Sequence, residues 1–447
     1  MSDQDKKYIF FVILHVAIGV AVFLEPAISK LYGLLIVPIG MYFVLINKNR
    51  NNEVLLVAAY LVGSEVFLRM TGGNLIYEFA KYSIILFVIV GMTYDGLSKN
   101  AVAYWIYLLL LLPGVVIATQ ALDHDTEIRK TISFNISGPL CLGLTALYTF
   151  GKRVTLEQLN SILLYIAMPI ICCTVYLILY TPSVRDVVMG TGSNFETSGG
   201  FGPNQVATML GLGMFIFLTR IIFASKSILI STLNFVIILA MTYRGLVTFS
   251  RGGMITGAIM FIVLTGVVYL NVSSNAKLKI NYFAIVVGVL FLGIWSYSIA
   301  QTGGLIQKRY SNENTLGVEK QTMLSGREAI SRTEIEFFLK NPLFGVGVAK
   351  GAELRRDETG KTILSHNEVT RMLAEHGTLG IIALCILLFT PMFLYLDNKQ
   401  HIYLFCFLIF WLLTINHAAM RLAAPAYVYA LSLLKVQLNE VPSVHRK

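Results

Sequence analysis

His366 lies in the only long polar segment of an otherwise hydrophobic chain, residues 301–378, within the sequence Ser365-His366-Asn367-Glu368. An unperturbed imidazole has a pKa of about 6.5, so this side chain can take up or release a proton near neutral pH. The apolar runs resume at about Leu379, a short distance along the chain. These features suit a general base that acts on a lipid-carried substrate at a bilayer surface. A histidine at the start of a helix is alternatively a capping or surface residue.

Arg251 lies in a tight turn between two apolar runs, Thr248-Phe249-Ser250-Arg251-Gly252-Gly253. A guanidinium offers paired donors to a phosphate group, and two glycines leave it uncrowded. The position suits a phosphate contact. The alternative is an ordinary boundary arginine that extends towards lipid headgroups.

Two further loops carry residues that suit a ligand. Asp123-His124-Asp125 has the carboxylates to hold a divalent ion against a diphosphate, and it is alternatively a solvated acidic turn. Arg129 and Lys130, which follow it, could contact phosphate without a metal. The second loop, residues 190–205, is rich in glycine and serine and ends in Pro203-Asn204-Gln205. Such a loop lets backbone groups approach a ligand, or it is a plain connector.

Membrane helices must position these residues. The chain has 447 residues, of which 56% are hydrophobic and 13% charged, with a mean hydropathy of +0.70, whereas soluble domains carry about 25% charged residues. An all-α polytopic membrane protein with about 12 to 14 transmembrane helices and one large outer loop containing short helices is therefore expected. The predicted spans lie near residues 8–24, 31–46, 54–69, 75–92, 101–120, 131–150, 159–180, 203–223, 228–248, 251–270, 280–300, 379–396, 401–417 and 421–435.

Four charged residues fall inside these apolar runs. Glu65 and Arg69 are spaced by four residues, and Glu78 and Lys81 by three, so each pair shares a helix face. They predict ion pairs that fix helix packing or, alternatively, the lining of a polar cavity.

Orientation follows from lysine and arginine, which resist translocation and are more frequent in the inner loops if the N-terminus is inside. Both termini are therefore expected in the cytoplasm and residues 301–378 outside. The net charge of +10 arises largely from those inner loops, so anionic headgroups are its expected partners and nucleic acid is not. The predicted division is a transmembrane bundle at 1–300, a catalytic loop at 301–378 and further transmembrane helices at 379–447.

Two helices are predicted within the outer loop. Residues 325–340 show the apolar spacing of an amphipathic helix near the membrane, and Pro342 and Gly345 end it. The second begins at about Asn367, with Glu368, Arg371 and Glu375 on its polar side.

Four motifs resemble the bacterial O-antigen ligase and O-antigen polymerase superfamily of membrane glycosyltransferases, and their order along the chain agrees with that family over roughly residues 190–400. One is His366-Asn367, nine residues, then Gly377-Thr378-Leu379-Gly380. The others are Ser250-Arg251-Gly252-Gly253, Ser325-Gly326-Arg327, and the stretch that runs from Asn341-Pro342 to Gly347.

The resemblance implies transfer of a glycan from undecaprenyl diphosphate to an acceptor sugar, at the periplasmic face of the bacterial inner membrane, without a metal or other cofactor. His366 matches the catalytic histidine of the family, and Arg251 and Arg327 match arginines that hold the diphosphate. Asn367, Arg129 and Asn204 are supporting candidates. His376, which has no such motif, is expected at the surface.

Two questions stay open at the level of sequence. A ligase would use lipid A core as acceptor, and a polymerase would use a second lipid-linked glycan. A transporter or flippase would also carry membrane-embedded charges such as Glu65 and Lys81, although the large loop with ordered motifs favours an enzyme.

Overall fold

A computed structural model describes residues 2–225, 227–320, 327–360 and 363–438, and the described chain is almost entirely helical. In chain order its elements are α1 (Asp3–Leu24), α2 (Ala27–Asn47), α3 (Glu53–Met70), α4 (Phe79–Asp95), α5 (Val102–Ala121), α6 (Ile128–Thr149), β1 (Arg153–Thr155), α7 (Leu156–Tyr180), α8 (Pro203–Phe223), α9 (Ile228–Leu246), α10 (Arg251–Asn271), α11 (Ser274–Gln301), α12 (Leu305–Tyr310), α13 (Arg327–Lys340), α14 (Lys350–Thr359), α15 (Glu368–Asp397), α16 (Leu404–His417), α17 (Ala424–Leu431) and β2 (Lys435–Gln437). A short 3-10 helix, Glu196–Ser198, precedes α8.

Nine helices of the described residues are long and apolar enough to cross a membrane, namely α1, α2, α5, α7, α8, α9, α10, α11 and α15. Backbone groups have no water partner inside a bilayer, so the helix, which satisfies them internally, is the form expected there. The expectation of an all-α polytopic membrane protein is confirmed.

The last two predicted spans correspond to short helices. At 1.5 Å per residue, α16 is about 21 Å long and α17 about 12 Å, against a bilayer core of about 30 Å. All eight residues of α17 are buried. The apolar run at 421–435 is therefore a buried core helix and does not span the bilayer by itself.

The chain packs as two compact units that interleave along the sequence. The first comprises Met1–Tyr77 and Glu157–Gln321, and the second comprises Glu78–Leu156 and Thr322–Lys447. This division by packing is distinct from the predicted division by membrane topology, which stays a prediction.

In the first unit, α8 is central and packs against α9 and α10. The contact with α10 is close because Gly253 faces the backbone of Ala207 and Thr208, where a Cβ would overlap. Small residues allow helix backbones to approach in this way. The close packing of α8 on α10 thus requires a glycine at position 253.

In the second unit, α5 and α6 pack against α15 and α17 respectively, and β1 pairs in parallel with β2. Each unit also contains one of the ion pairs expected from sequence. Glu65 bonds Arg69 at 2.9 Å in the first unit, and Glu78 bonds Lys81 at 2.5 Å in the second. The ion pairs that the first interpretation predicted are therefore present, each between residues of one helix or at its start. Lys81 also reaches α6, where its Nζ donates to Ser137 Oγ at 3.2 Å.

A break at Gly377 divides α15 into residues 368–376 and 378–397. Gly377 has φ 60° and ψ −139°, a conformation that side-chain-bearing residues rarely adopt. The turn at residues 341–347 fits into this break, because Thr378 donates to the Pro342 carbonyl from its backbone nitrogen and its hydroxyl, each at 2.7 Å. A Cβ at Gly377 would lie 2.6 Å from the same carbonyl oxygen.

Replacing Gly377 with alanine should destabilise the protein more than the backbone strain alone, which is typically about 1–3 kcal/mol. The measurement is the midpoint of thermal unfolding of the purified protein in detergent. Gly360→Ala is the matched control, because Gly360 also has positive φ, +70°, but a Cβ there meets open space. Equal shifts of the midpoint in the two variants would show that the contact with the turn contributes nothing.

Candidate functional site

Hydrogen bonds hold the backbone around His366 against the turn between α16 and α17. The His366 carbonyl accepts from the Ala419 backbone nitrogen at 3.1 Å, and the Ser365 carbonyl accepts from Arg421 Nη2 at 2.7 Å. Ala419 itself has φ 51°. His366 therefore lies in a segment that the turn fixes, immediately before α15 begins.

The imidazole of His366 is partly exposed and makes no hydrogen bond to any residue in the described ranges. Burial and the positive charges of Arg421 and Arg327 lower the pKa of His366 to about 4. At neutral pH the ring is therefore neutral, which is the form that can accept a proton. An anion bound at the two arginines would offset their charge and raise the pKa of His366 towards its ordinary value.

Two guanidinium groups flank this ring. Arg327 lies at the start of α13 and donates from Nη1 to the His417 carbonyl at 3.1 Å, while Arg421 lies just before α17. The structure thus brings Arg327 and His366 together, as the sequence motifs suggested. Ser325 and Gly326 of the same motif lie outside the described residues. Sequence reasoning missed Arg421, although it is an arginine beside an apolar run, as Arg251 is.

Asn367 is the N-cap of α15. Its Oδ1 accepts from the backbone nitrogens of Val369 at 2.9 Å and Thr370 at 3.4 Å. This cap satisfies two of the free amide groups at the helix start. The supporting residue predicted beside His366 thus contributes by fixing where α15 begins.

Glu334 holds the same segment from α13. Only 1% of this residue is exposed, and its carboxylate accepts from Ser365 Oγ at 3.2 Å, Thr370 Oγ1 at 2.5 Å and Arg355 Nη1 at 3.2 Å. Two of these donors lie on either side of His366 in the sequence. The spacing predicted the helix but gave no sign that this one carboxylate points into the protein.

A second buried charge pair supports the start of α15. Glu368 forms an ion pair with Arg371 and accepts from the Met420 backbone nitrogen at 3.2 Å. Arg371 also donates to Asn135 Oδ1 at 2.8 Å. Residues assigned to the polar side of the helix are therefore buried, and they connect it to α6 and to the turn at Met420.

His376 is a correction to the sequence analysis, which placed it at the surface. It is 2% exposed, and it lies against α5 where a Cβ on Gly114 would meet its ring. The preceding Glu375 is buried as well, and it accepts from the Ala349 backbone nitrogen at 2.9 Å. Both residues belong to the part of α15 that packs on α5, so they are buried although their side chains are polar.

Two cationic side chains of α14 form ion pairs with the loop that contains Asp123 and Asp125. Asp123 bonds Lys350 at 2.9 Å and Arg356 at 2.7 Å, and the hydrogen bond from Lys350 is the main reason that the pKa of Asp123 is lowered. Asp125 and Arg129 are exposed. Asp123 thus ties this loop to α14, which the sequence analysis did not predict.

The first unit carries a separate cluster of cations around Arg251, the first residue of α10. Burial and the charges of Arg309 and Arg251 lower the pKa of Lys320, so these three positive groups lie close together. Arg309 Nε donates to the Phe249 carbonyl at 3.0 Å, and Lys320 Nζ donates to Thr191 Oγ1 at 2.9 Å. The sequence identified Arg251 and missed the other two.

Asn204, in the first turn of α8, bonds the turn that presents this cluster. Its Oδ1 accepts from Ser250 Oγ at 2.7 Å, directly before Arg251. Phe249 is buried and has φ 58°, a strained value for an aromatic residue. The arrangement can attract an anion such as phosphate, because it gathers several positive charges at a fixed turn.

Comparison with known families agrees with the motifs. Residues 235–385 match the family model described as O-antigen ligase, a range that begins in α9 and ends in α15. The range includes Arg251, Arg327 and His366, whereas Asn204 and Arg421 lie outside it. No curated protein matches the chain. The chain is therefore a polytopic membrane protein that is similar to the O-antigen ligase family over residues 235–385, and its resemblance to the O-antigen ligase and polymerase superfamily is confirmed over that range.

Proposed function

We propose that the protein is a metal-independent glycosyltransferase of the bacterial inner membrane, with both termini in the cytoplasm. It moves a glycan from undecaprenyl diphosphate to an acceptor sugar, lipid A core, at the periplasmic face. The observation that carries the proposal is the placement of the His366 ring, which has no hydrogen bond to the described residues and lies beside Arg327 and Arg421. The O-antigen ligase match supports the class of reaction.

In the proposed reaction, the acceptor hydroxyl oxygen attacks the anomeric carbon of the donor glycan. The bond from that carbon to the phosphate oxygen breaks, and its electron pair leaves on undecaprenyl diphosphate. His366 accepts the hydroxyl proton. The positive charge of Arg327, with that of Arg421, stabilises the negative charge that develops on the leaving group.

Arg251 is assigned a phosphate contact on separate grounds, because Arg309 and Lys320 lie beside it. Three clustered cations repel one another, and an anion relieves that repulsion. Asn204 supports this cluster through Ser250, and Asn367 supports His366 through the helix cap. Arg129 is exposed at the first turn of α6, and its phosphate contact remains the least supported of these assignments.

His366→Ala should lower transfer by about 10²–10⁴-fold, which is the usual contribution of a general base. The measurement is turnover of purified protein with a lipid-linked glycan, with lipid A core or a second lipid-linked glycan as acceptor, which also tests ligase against polymerase activity. Insertion into the membrane should be preserved, because the ring is partly exposed.

The controls for that experiment are Asp123→Ala, Asp125→Ala and a chelator, each of which should have a small effect. Full turnover in His366→Ala, together with loss of turnover after chelation or in the two aspartate variants, would move the catalytic centre to the Asp-x-Asp loop.

Arg251→Lys and Arg327→Lys should each lower transfer, because lysine keeps the charge but loses the two parallel hydrogen bonds of a guanidinium to phosphate. The rise in the apparent KM for the lipid-linked donor reports this loss. Arg332→Lys is the matched control, since Arg332 is exposed on the same helix as Arg327. Unchanged kinetics in both test variants would remove the assignment of these arginines to the diphosphate.

A further inference from the structure

Three large apolar side chains are exposed where α13 ends and the following turn begins. Leu339 is 69% exposed, Leu343 66% and Phe344 50%. We call these three residues the apolar wedge. They belong to a part of the chain outside the candidate spans, where such exposure needs a partner.

Hydrogen bonds fix the depth of this turn relative to α15. The Val346 nitrogen donates to the Ala374 carbonyl at 2.8 Å, and the Thr378 nitrogen donates to the Pro342 carbonyl at 2.7 Å. Residues 378–397, the apolar second part of α15, are about 30 Å long at 1.5 Å per residue, which matches the thickness of a bilayer core. Thr378, and with it the turn, therefore lies at a boundary of that core.

Helix α5 places the residue after the turn somewhat deeper. The Val348 nitrogen donates to the Gly114 carbonyl at 3.0 Å, and α5 spans Val102–Ala121. At 1.5 Å per residue α5 is about 30 Å long, so Gly114 lies about 10 Å inside its end. The contact with α15 thus places the turn at the boundary of the bilayer core, and the contact with α5 places Val348 about 10 Å inside that boundary.

Exposed apolar side chains also lie on the span that bonds the turn. Ile382 on α15 is 43% exposed and lies within a candidate span, one helical turn after Thr378 and on the same helix face. Exposed apolar surface of this span is therefore close to the turn that Thr378 bonds. A bilayer is a partner that both surfaces can share.

We infer that the apolar wedge inserts into the bilayer boundary, with lipid as its partner. Burial of apolar surface stabilises this contact by about 25 cal/mol per Å² removed from water. The insertion fixes the position of α13 along the membrane normal. Glu334 on that helix bonds Ser365 and Thr370, which precede and follow His366 in the sequence. The importance of this position for a lipid-carried substrate rests on the proposed function, whereas the lipid contact does not.

Spin labels measure the insertion directly. The full-length chain would be reconstituted into vesicles of phosphatidylethanolamine and phosphatidylglycerol, with Cys385 replaced by serine because it is the exposed cysteine. A nitroxide is attached at Phe344→Cys, with Leu343→Cys as a second position in case the first variant does not fold. Asp357→Cys is the control, at an exposed residue of α14.

Relaxation of the label by oxygen, which partitions into lipid, is compared with relaxation by a water-soluble nickel chelate. The ratio of the two effects should be several-fold higher at the wedge than at Asp357. A ratio equal to that of the control would overturn the inference. Shielding from both reagents would overturn it as well, because it would indicate a protein partner or a second copy of the chain.

Discussion

The buried carboxylate of Glu334 constrains the segment that carries His366. A carboxylate removed from water is destabilised by several kcal/mol unless donors match its oxygens. Ser365, Thr370 and Arg355 supply those donors, so the segment cannot move without leaving the charge partly unmatched. The place of the imidazole thus follows from the packing of α13 on α15. The turn at Ala419 closes the other side of the same segment.

Backbone carbonyls orient arginine side chains in both units. Hydrogen bonds run from Arg327 to the His417 carbonyl, from Arg421 to the Ser365 carbonyl and from Arg309 to the Phe249 carbonyl. Lys350 instead forms ion pairs with Asp123 and Glu353, at 2.9 Å each. The ion pair with Asp123 ties α14 to the loop that follows α5.

The sequence predicted those features that depend on short stretches of chain. Apolar runs gave the polytopic helical class, and the helix start at Asn367 follows from its short side chain, which caps the next amide groups. Positions that depend on distant contacts were missed. Glu368, Arg371 and His376 are polar by type, yet they are buried because α15 packs on α5 and on the turn at Met420.

The candidate site shows the same limit. Arg251, Arg327 and His366 were found because each sits in a local motif, but Arg309, Lys320 and Arg421 have no motif and join their clusters only through folding. The run at 421–435 had the composition of a span, and only the structure shows that its helix ends after eight residues. Composition reports how apolar a run is, whereas tertiary packing decides whether lipid or protein surrounds it.

The role of His366 as a base whose pKa is lowered by neighbouring arginines is tested most directly by the pH dependence of kcat/KM in Arg421→Gln. The acid limb of this profile reports the pKa of the base in the free enzyme, and that of His366 is about 4. Removing the charge of Arg421 makes the imidazolium easier to form, so the limb should move to higher pH. Arg332→Gln should leave it in place. An acid limb at the same pH in wild type and Arg421→Gln would contradict the assignment of His366 as the base.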